Sequence, residues 1–216
     1  MNHQLLRILR PFVHKFTDAR RVREIESEVL ARFPNFDLNE LNGKLVVDLG
    51  ANRGDFSMWA ANYGAKVIAM EPDKTAFQYL VKRASKKSSI FPLNAGAVSK
   101  TSFVKLFFHA NRSKDPLGHT ISSSINPDKK NVSKTNFEEI LGINLDEFLG
   151  NLEVFLLKVD IEGAEVLLWE GIKTHSTNIK YLLMETHENQ IDSDYSDFSK
   201  FIAKNDLQTR WKLDWV

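Results

Sequence analysis

Asp48, Glu71, Asp160 and Glu185 each sit at the end of a short apolar run, where an open sheet of buried strands brings side chains to one edge. The first belongs to Leu45-Val46-Val47-Asp48-Leu49-Gly50-Ala51-Asn52-Arg53-Gly54-Asp55-Phe56, an apolar run without polar alternation that passes into Asp-x-Gly-x-Asn-x-Gly. Gly50 and Gly54 allow a tight turn and a close approach to a ligand, since glycine alone reaches positive φ freely. Neither Gly-x-Gly-x-x-Gly nor the Lys-Ser/Thr pair of a phosphate loop is present. An acid before the first glycine suits an ammonium group and would repel a pyrophosphate. Glu71, closing Val67-Ile68-Ala69-Met70, is placed to accept from two ribose hydroxyls. A ligand with a cationic amino-acid end and a ribose is S-adenosylmethionine.

Four motifs in order carry a resemblance. They are Val-Asp-Leu-Gly-Ala-Asn-Arg-Gly from Val47, Met70-Glu71-Pro72, Leu157-Lys158-Val159-Asp160-Ile161-Glu162-Gly163-Ala164-Glu165, and Met184-Glu185-Thr186-His187. From about Leu45 to His187 the chain resembles the FkbM family of methyltransferases. The resemblance implies a class I, Rossmann-like α/β fold, S-adenosylmethionine as methyl donor and S-adenosylhomocysteine as product. It also implies transfer to an oxygen of a sugar, glycan or secondary metabolite. The cofactor set it implies is Asp48, Gly50, Ala51, Asn52, Gly54, Phe56, Glu71, Pro72, Asn94, Ala97 and Asp160, with the small-residue turn Asn94 to Val98 beside the adenine or serving as a plain strand exit.

Transfer to oxygen needs an aligned acceptor and removal of its proton. His187, two residues past Glu185, is the preferred base as a neutral imidazole, with Asp160 and Glu185 beside it; a structural histidine fits the same position. Asp160, Glu185 and His187 would equally ligate one divalent metal, as the ends of the same two strands do in catechol-type methyltransferases. Glu162 is read as an acceptor contact or a helix-start acid, and Glu165 as the latter. Lys158, near the end of an apolar strand, must reach a carboxylate. His3, His14, His109 and His175 have no partner pattern.

The elements that must position these groups are set by periodicity. Buried strands are expected at 45–49, 67–70, 90–93, 154–159 and 181–184, a sixth at 207–211, and an abbreviated last hairpin in a mostly parallel, seven-stranded type of sheet with helices on both faces. Helices are expected at 55–63, stopped by Gly64, from Lys74 with Asp73 as N-cap, and after Asp160, closed by Gly171. Asn144-Leu145-Asp146-Glu147 has the form of a capping box. Residues 1–40 read as a helical extension ahead of a methyltransferase domain at 41–216. Its first part, 1–16, is amphipathic around Pro11 and suits packing, self-association or a membrane surface. Phe103 to His109 reads as an inserted strand. The polar stretch 111–136 reads as an inserted loop, either a surface insertion or an acceptor-binding lid offering His119, Ser122, Ser123 and Ser124.

Composition excludes several classes. A formal net charge of +1 gives no electrostatic case for nucleic acid, and zero cysteines exclude disulfides, thiolate metal sites and cysteine nucleophiles. No apolar run is long enough to cross a membrane, so a cytoplasmic protein, at most peripheral to the inner membrane face, is expected. The position that carries Asn/Asp-Pro-Pro-aromatic in adenine-N6 enzymes reads Asp160-Ile161-Glu162-Gly163, and there is no room for the barrel of protein arginine methyltransferases. Two alternatives to O-methylation remain: a small-molecule N-methyltransferase, and a non-catalytic cofactor-binding subunit.

Overall fold

The computed structural model describes residues 20–112, 120–187 and 194–213. The helix expected over 1–16 and the lid residue His119 lie outside the described residues.

After a helix over residues 20–32 (α1) and a 3-10 turn at Leu38–Leu41, six strands form the central sheet. They are β1 (Leu45–Leu49), β2 (Lys66–Met70), β3 (Ile90–Leu93), β7 (Val154–Val159), β8 (Ile179–Met184) and β9 (Trp211–Leu213). Their spatial order is β3-β2-β1-β7-β8-β9 and every pairing is parallel. The order reverses between β1 and β7, which leaves a crevice above the carboxyl ends of those two strands.

Side-chain alternation along each strand divides the core. Val46, Val67, Leu156 and Leu183 face one side, where α1, α2 (Asp55–Asn62) and α3 (Lys74–Ala84) supply Ile25, Val29, Trp59 and Leu80. Val47, Leu49, Leu157, Val159 and Leu182 face the other, against α4 (Leu145–Leu149), α5 (Trp169–Thr174) and α6 (Ser196–Lys204). Strands covered on both faces need apolar side chains at successive positions, which is why β1 and β7 read as apolar runs interrupted only by Asp48 and Lys158. α1 contributes fully to the first of these clusters, so 20–41 packs into the same core as the sheet. Among the described residues no helix is long and apolar enough to cross a membrane.

A second, three-stranded sheet stands beside the crevice in the order β4-β6-β5, from β4 (Gly96–Val98), β5 (Ser102–His109) and β6 (Val132–Asn144). The inserted strand at 103–109 is thus present, but two expectations are corrected around it. Residues 96–98 are a strand, paired in parallel with β6, where a turn was expected. Residues 132–136 belong to β6, antiparallel to β5, where the polar loop was expected to continue. Further along, Gly171 lies inside α5 and does not close it. The last described strand begins at Trp211, because 207–210 forms a turn that bonds Leu207 O to Arg210 N and Trp211 N. The capping expectation at Asn144 holds with one modification. Its side chain accepts from Glu147 N at 2.9 Å, while the Glu147 carboxylate takes the Thr101 hydroxyl, which in turn accepts from Asn144 N.

Candidate active site

A cavity of about 410 Å³ occupies the crevice, a size suited to a small ligand. Its floor is the loop after β1. Gly50 (φ +74°) turns that loop, and a Cβ there would fall 1.7 Å from the Asp160 carbonyl oxygen. Gly54 (φ +85°) is likewise pressed on Leu80 of α3. The two glycines were expected to make room for a ligand; Gly50 does line the cavity while also admitting the end of β7, and Gly54 makes room for the side of α3.

Asp48 is corrected in the same way. It is fully buried beneath the loop, where Oδ2 accepts from Ser57 Oγ at 2.6 Å and Oδ1 stands 3.3 Å from Lys158 Nζ. It does not line the cavity; Lys158 does. The Lys158 ammonium donates to Gly50 O at 2.8 Å and reaches Asp160 Oδ2 at 3.2 Å. Burial alone would lower its pKa, but Asp160 and Asp48 raise it above the ordinary lysine value, so it stays charged. The carboxylate predicted for this lysine is therefore two carboxylates. Together they clamp the end of β1 to the end of β7.

One wall comes from the end of β2 and the segment leading to α3. Glu71 accepts from Asn52 N and from Asp73 N, each at 2.7 Å, and is 5% exposed. Burial pushes its pKa up to about 8, against the pull of the two backbone N–H groups. Pro72, Ala95, Gly96 and Ala97 continue this wall with small residues. Asn94 stands behind it, donating to the Glu71 and Pro72 carbonyls at 2.9 and 3.2 Å. Ala51, Asn52 and Phe56 also line the cavity, as expected of cofactor contacts.

The opposite end holds Asp160, Glu162 and Glu185. Glu162 adopts φ +60° and is bonded to the buried Lys129. Burial, and then the nearby Asp160 charge, push Glu185 up to about 8. His187 stands behind these acids, 6% exposed. Burial alone would lower its pKa, but Glu162 and Glu165 raise it to about 10. His187 is not among the cavity-lining residues, so the imidazole expected to face the acceptor as a base stands one layer behind it, where the acids on both sides of the ring favour its protonated form. The carboxyl groups that line this end of the cavity are Asp160, Glu162 and Glu185.

Residues 120–131 form a strap over the cavity. Ser124 bridges to Phe107 of β5 by two backbone bonds, Thr120 Oγ1 is 3.4 Å from Asn52 Oδ1, and Asn126 donates to Gly163 O at 3.0 Å. Arg112 fastens its other side by pairing with Asp73, the N-cap of α3. Of the expected acceptor residues, Ser123 and Glu162 line the cavity. Ser122 offers its carbonyl to Lys129, and Ser124 is buried with its hydroxyl accepting from Asn126 N. Sequence reasoning missed Arg21 and Ile25 of α1, and Leu106, Thr120 and Ile125, all of which line the cavity. Only the distant pairing of their elements brings them there, and no local motif marks it.

No curated protein matches the chain. Among solved structures it is similar to methyltransferase FkbM from Methylobacillus flagellatus KT, at 19% identity over 76% of this chain and 37% of that one, with a TM-score of 0.47. It is also similar to a Staphylococcus aureus protein assigned by inference as a caffeoyl-CoA O-methyltransferase, at 10% identity over 95% of this chain and 76% of that one, with a TM-score of 0.37. The chain thus spans little more than a third of the first of these proteins. The model of the methyltransferase FkbM domain matches residues 48–206, most of the described sheet and all four motifs from Asp48 on, and the chain belongs to that family.

Proposed function

We propose that this protein transfers the methyl group of S-adenosylmethionine to a hydroxyl oxygen of a sugar, glycan or secondary metabolite. The observation that carries the reading is the continuity of one cavity from Glu71 and the 50–53 loop to Asp160 and Glu185. The donor brings an activated methyl on a sulfonium. The residues present fit such a ligand: Glu71 presents a buried carboxyl group to a ribose, and the slot of Pro72, Ala95, Gly96 and Ala97 suits a flat base. The ammonium of Lys158 suits an α-carboxylate, a role that no local motif marks.

At the far end, Asp160 and Glu185 favour the positive sulfonium, and Asp160 takes the proton that the acceptor hydroxyl must lose. The strap excludes water and places Thr120 and Ser123 where an acceptor rich in hydroxyls would lie. The near-neutral net charge argues against nucleic acid as acceptor. The test is mass spectrometry of a polar metabolite and glycan extract incubated with the protein and deuteromethyl-labelled donor. Label on a sugar hydroxyl that is lost in Asp160→Ala and Glu185→Ala supports the reading; label on protein or RNA, or transfer that survives both substitutions, overturns it.

A further inference from the structure

The ends of β7 and β8 bring three ligand types to one point. Ligand atoms of Asp160, Glu185 and His187 all lie within 4.8 Å of one another. His187 Nε2 faces the acids, 3.3 Å from Glu162 Oε2 and 3.6 Å from Glu185 Oε1, while Nδ1 turns to Glu165 Oε1 at 3.0 Å. Glu165 has a fully buried side chain. It accepts from the backbone N–H groups of Ile161 and Gly163 and from the Tyr195 hydroxyl. A carboxylate fixed behind one ring nitrogen is the arrangement that orients an imidazole whose other nitrogen binds a metal.

Two independent observations point to a cation as the ligand. Asp160 Oδ1 is buried with no hydrogen-bond partner, and His187, more than nine-tenths buried, directs Nε2 toward Glu162 and Glu185. Asp48, Asp160, Glu162, Glu165 and Glu185 also share only Lys129, Lys158 and His187 as cationic partners among the described residues. A divalent cation would offset that excess of negative charge.

We propose that Asp160, Glu185 and His187 Nε2 bind one divalent cation at the acceptor end of the cavity, with Glu162 on its fourth side and Glu165 as the positioning residue for His187. Two carboxylates and an imidazole suit Mn²⁺ better than the all-oxygen shell that Mg²⁺ and Ca²⁺ prefer. Asp160 and Glu185 line the cavity, so the ion's open positions face the acceptor. There it holds two adjacent acceptor oxygens and lowers the pKa of a hydroxyl. The acceptor class is then a vicinal diol or a hydroxy acid. That use of the ion rests on the methyltransferase reading, whereas the binding of the ion does not.

The experiment titrates the chelator-treated full chain with Mn²⁺, following free and bound ion by electron paramagnetic resonance, and measures S-adenosylhomocysteine binding to the same samples by calorimetry. One bound ion per chain is expected, weakened at least about tenfold in Asp160→Asn and in Glu185→Gln. Glu165→Gln should weaken it by about 10- to 100-fold and alter the line shape of the bound ion, which loss of a purely structural residue would not do. Glu185 is half-buried and outside the Lys158 clamp, so Glu185→Gln decides the matter should Asp160→Asn fail to fold. No Mn²⁺ binding by the unsubstituted chain, or equal binding in Glu185→Gln, overturns the proposal. If the homocysteine product still binds in that case, the methyltransferase reading stands without the ion. Mn²⁺ binding with no binding of that product would overturn the methyltransferase reading and leave the cation site in place.

Discussion

At the scale of single residues, Lys158 decides more than its neighbours. Its charge was legible as an anomaly in an apolar strand, and the structure answers it with Asp48 and Asp160. Asp48 was legible too, but its role was not. An acid before a glycine loop fits an ammonium ligand or a buried lysine equally well, and only the β1–β7 pairing brings Lys158 opposite Asp48. Lys158→Met therefore leaves Asp48 charged and unpaired at 0% exposure, and should cost about 3–5 kcal/mol in urea unfolding. Adding Asp48→Asn should recover part of that loss; an unchanged midpoint in the single variant would show that the clamp contributes nothing. Glu71 makes the second residue-scale prediction. Glu71→Gln keeps the volume but one side-chain oxygen in place of two, and should weaken S-adenosylhomocysteine binding by about 0.5–1.5 kcal/mol, the scale of a neutral hydrogen bond, read by calorimetry. Equal affinity would place the ribose elsewhere.

Among the elements, the central sheet was legible because strands buried on both faces must be apolar throughout, and β1, β2, β3, β7 and β8 all fall within a residue or two of expectation. β6 was not. Its first part, Val132 to Asn136, is polar and mostly exposed like the loop before it, and in the whole strand only Ile140 and Gly142 are buried, so no periodic apolar face marks it. Cross-strand partners such as Lys105 opposite Glu139 and Phe107 opposite Phe137 hold it, and those appear only after pairing. The strap depends on this second sheet at one end and on the pair of Arg112 with Asp73 at the other. Asp73 also accepts from Thr75 N and Ala76 N at the start of α3. Asp73→Ala removes a cap and leaves Arg112 unpaired, so hydrogen exchange should quicken both at Thr75 and Ala76 and across 120–126, with a stability loss of about 3–5 kcal/mol. Arg112→Ala should quicken exchange in 120–126 while α3 keeps its protection. If the strap amides are unmoved in both variants, β5 alone holds it.

For the whole molecule, the reversal of strand order at β1 and β7 gathers several acids around one cavity, and the cost appears as raised carboxyl pKa values. Glu71 is the clearest case: burial lifts it from an ordinary 4.5 to about 8, although the Asn52 and Asp73 amides oppose the shift. Its folded form keeps a proton that the unfolded chain has already released, so the unfolded state binds fewer protons and stability falls as pH rises. The contribution is complete below about pH 4.5 and gone above about pH 8. Glu185, lifted to about 8 by burial and Asp160, acts in the same direction over the same window. His187, moved from 6.5 to about 10 by Glu162 and Glu165 against its own burial, extends the decline to higher pH. Calorimetric Tm of chelator-treated protein at fixed ionic strength should therefore drop steadily between pH 5 and about pH 10, the opposite of a protein held by ionised carboxylates. Glu71→Gln cannot titrate, so its Tm should fall less steeply between pH 5 and 8 and run parallel to the unsubstituted protein above that. A Tm that rises over this range would mean that Glu71 is ionised in the fold, and that its two backbone amides outweigh its burial.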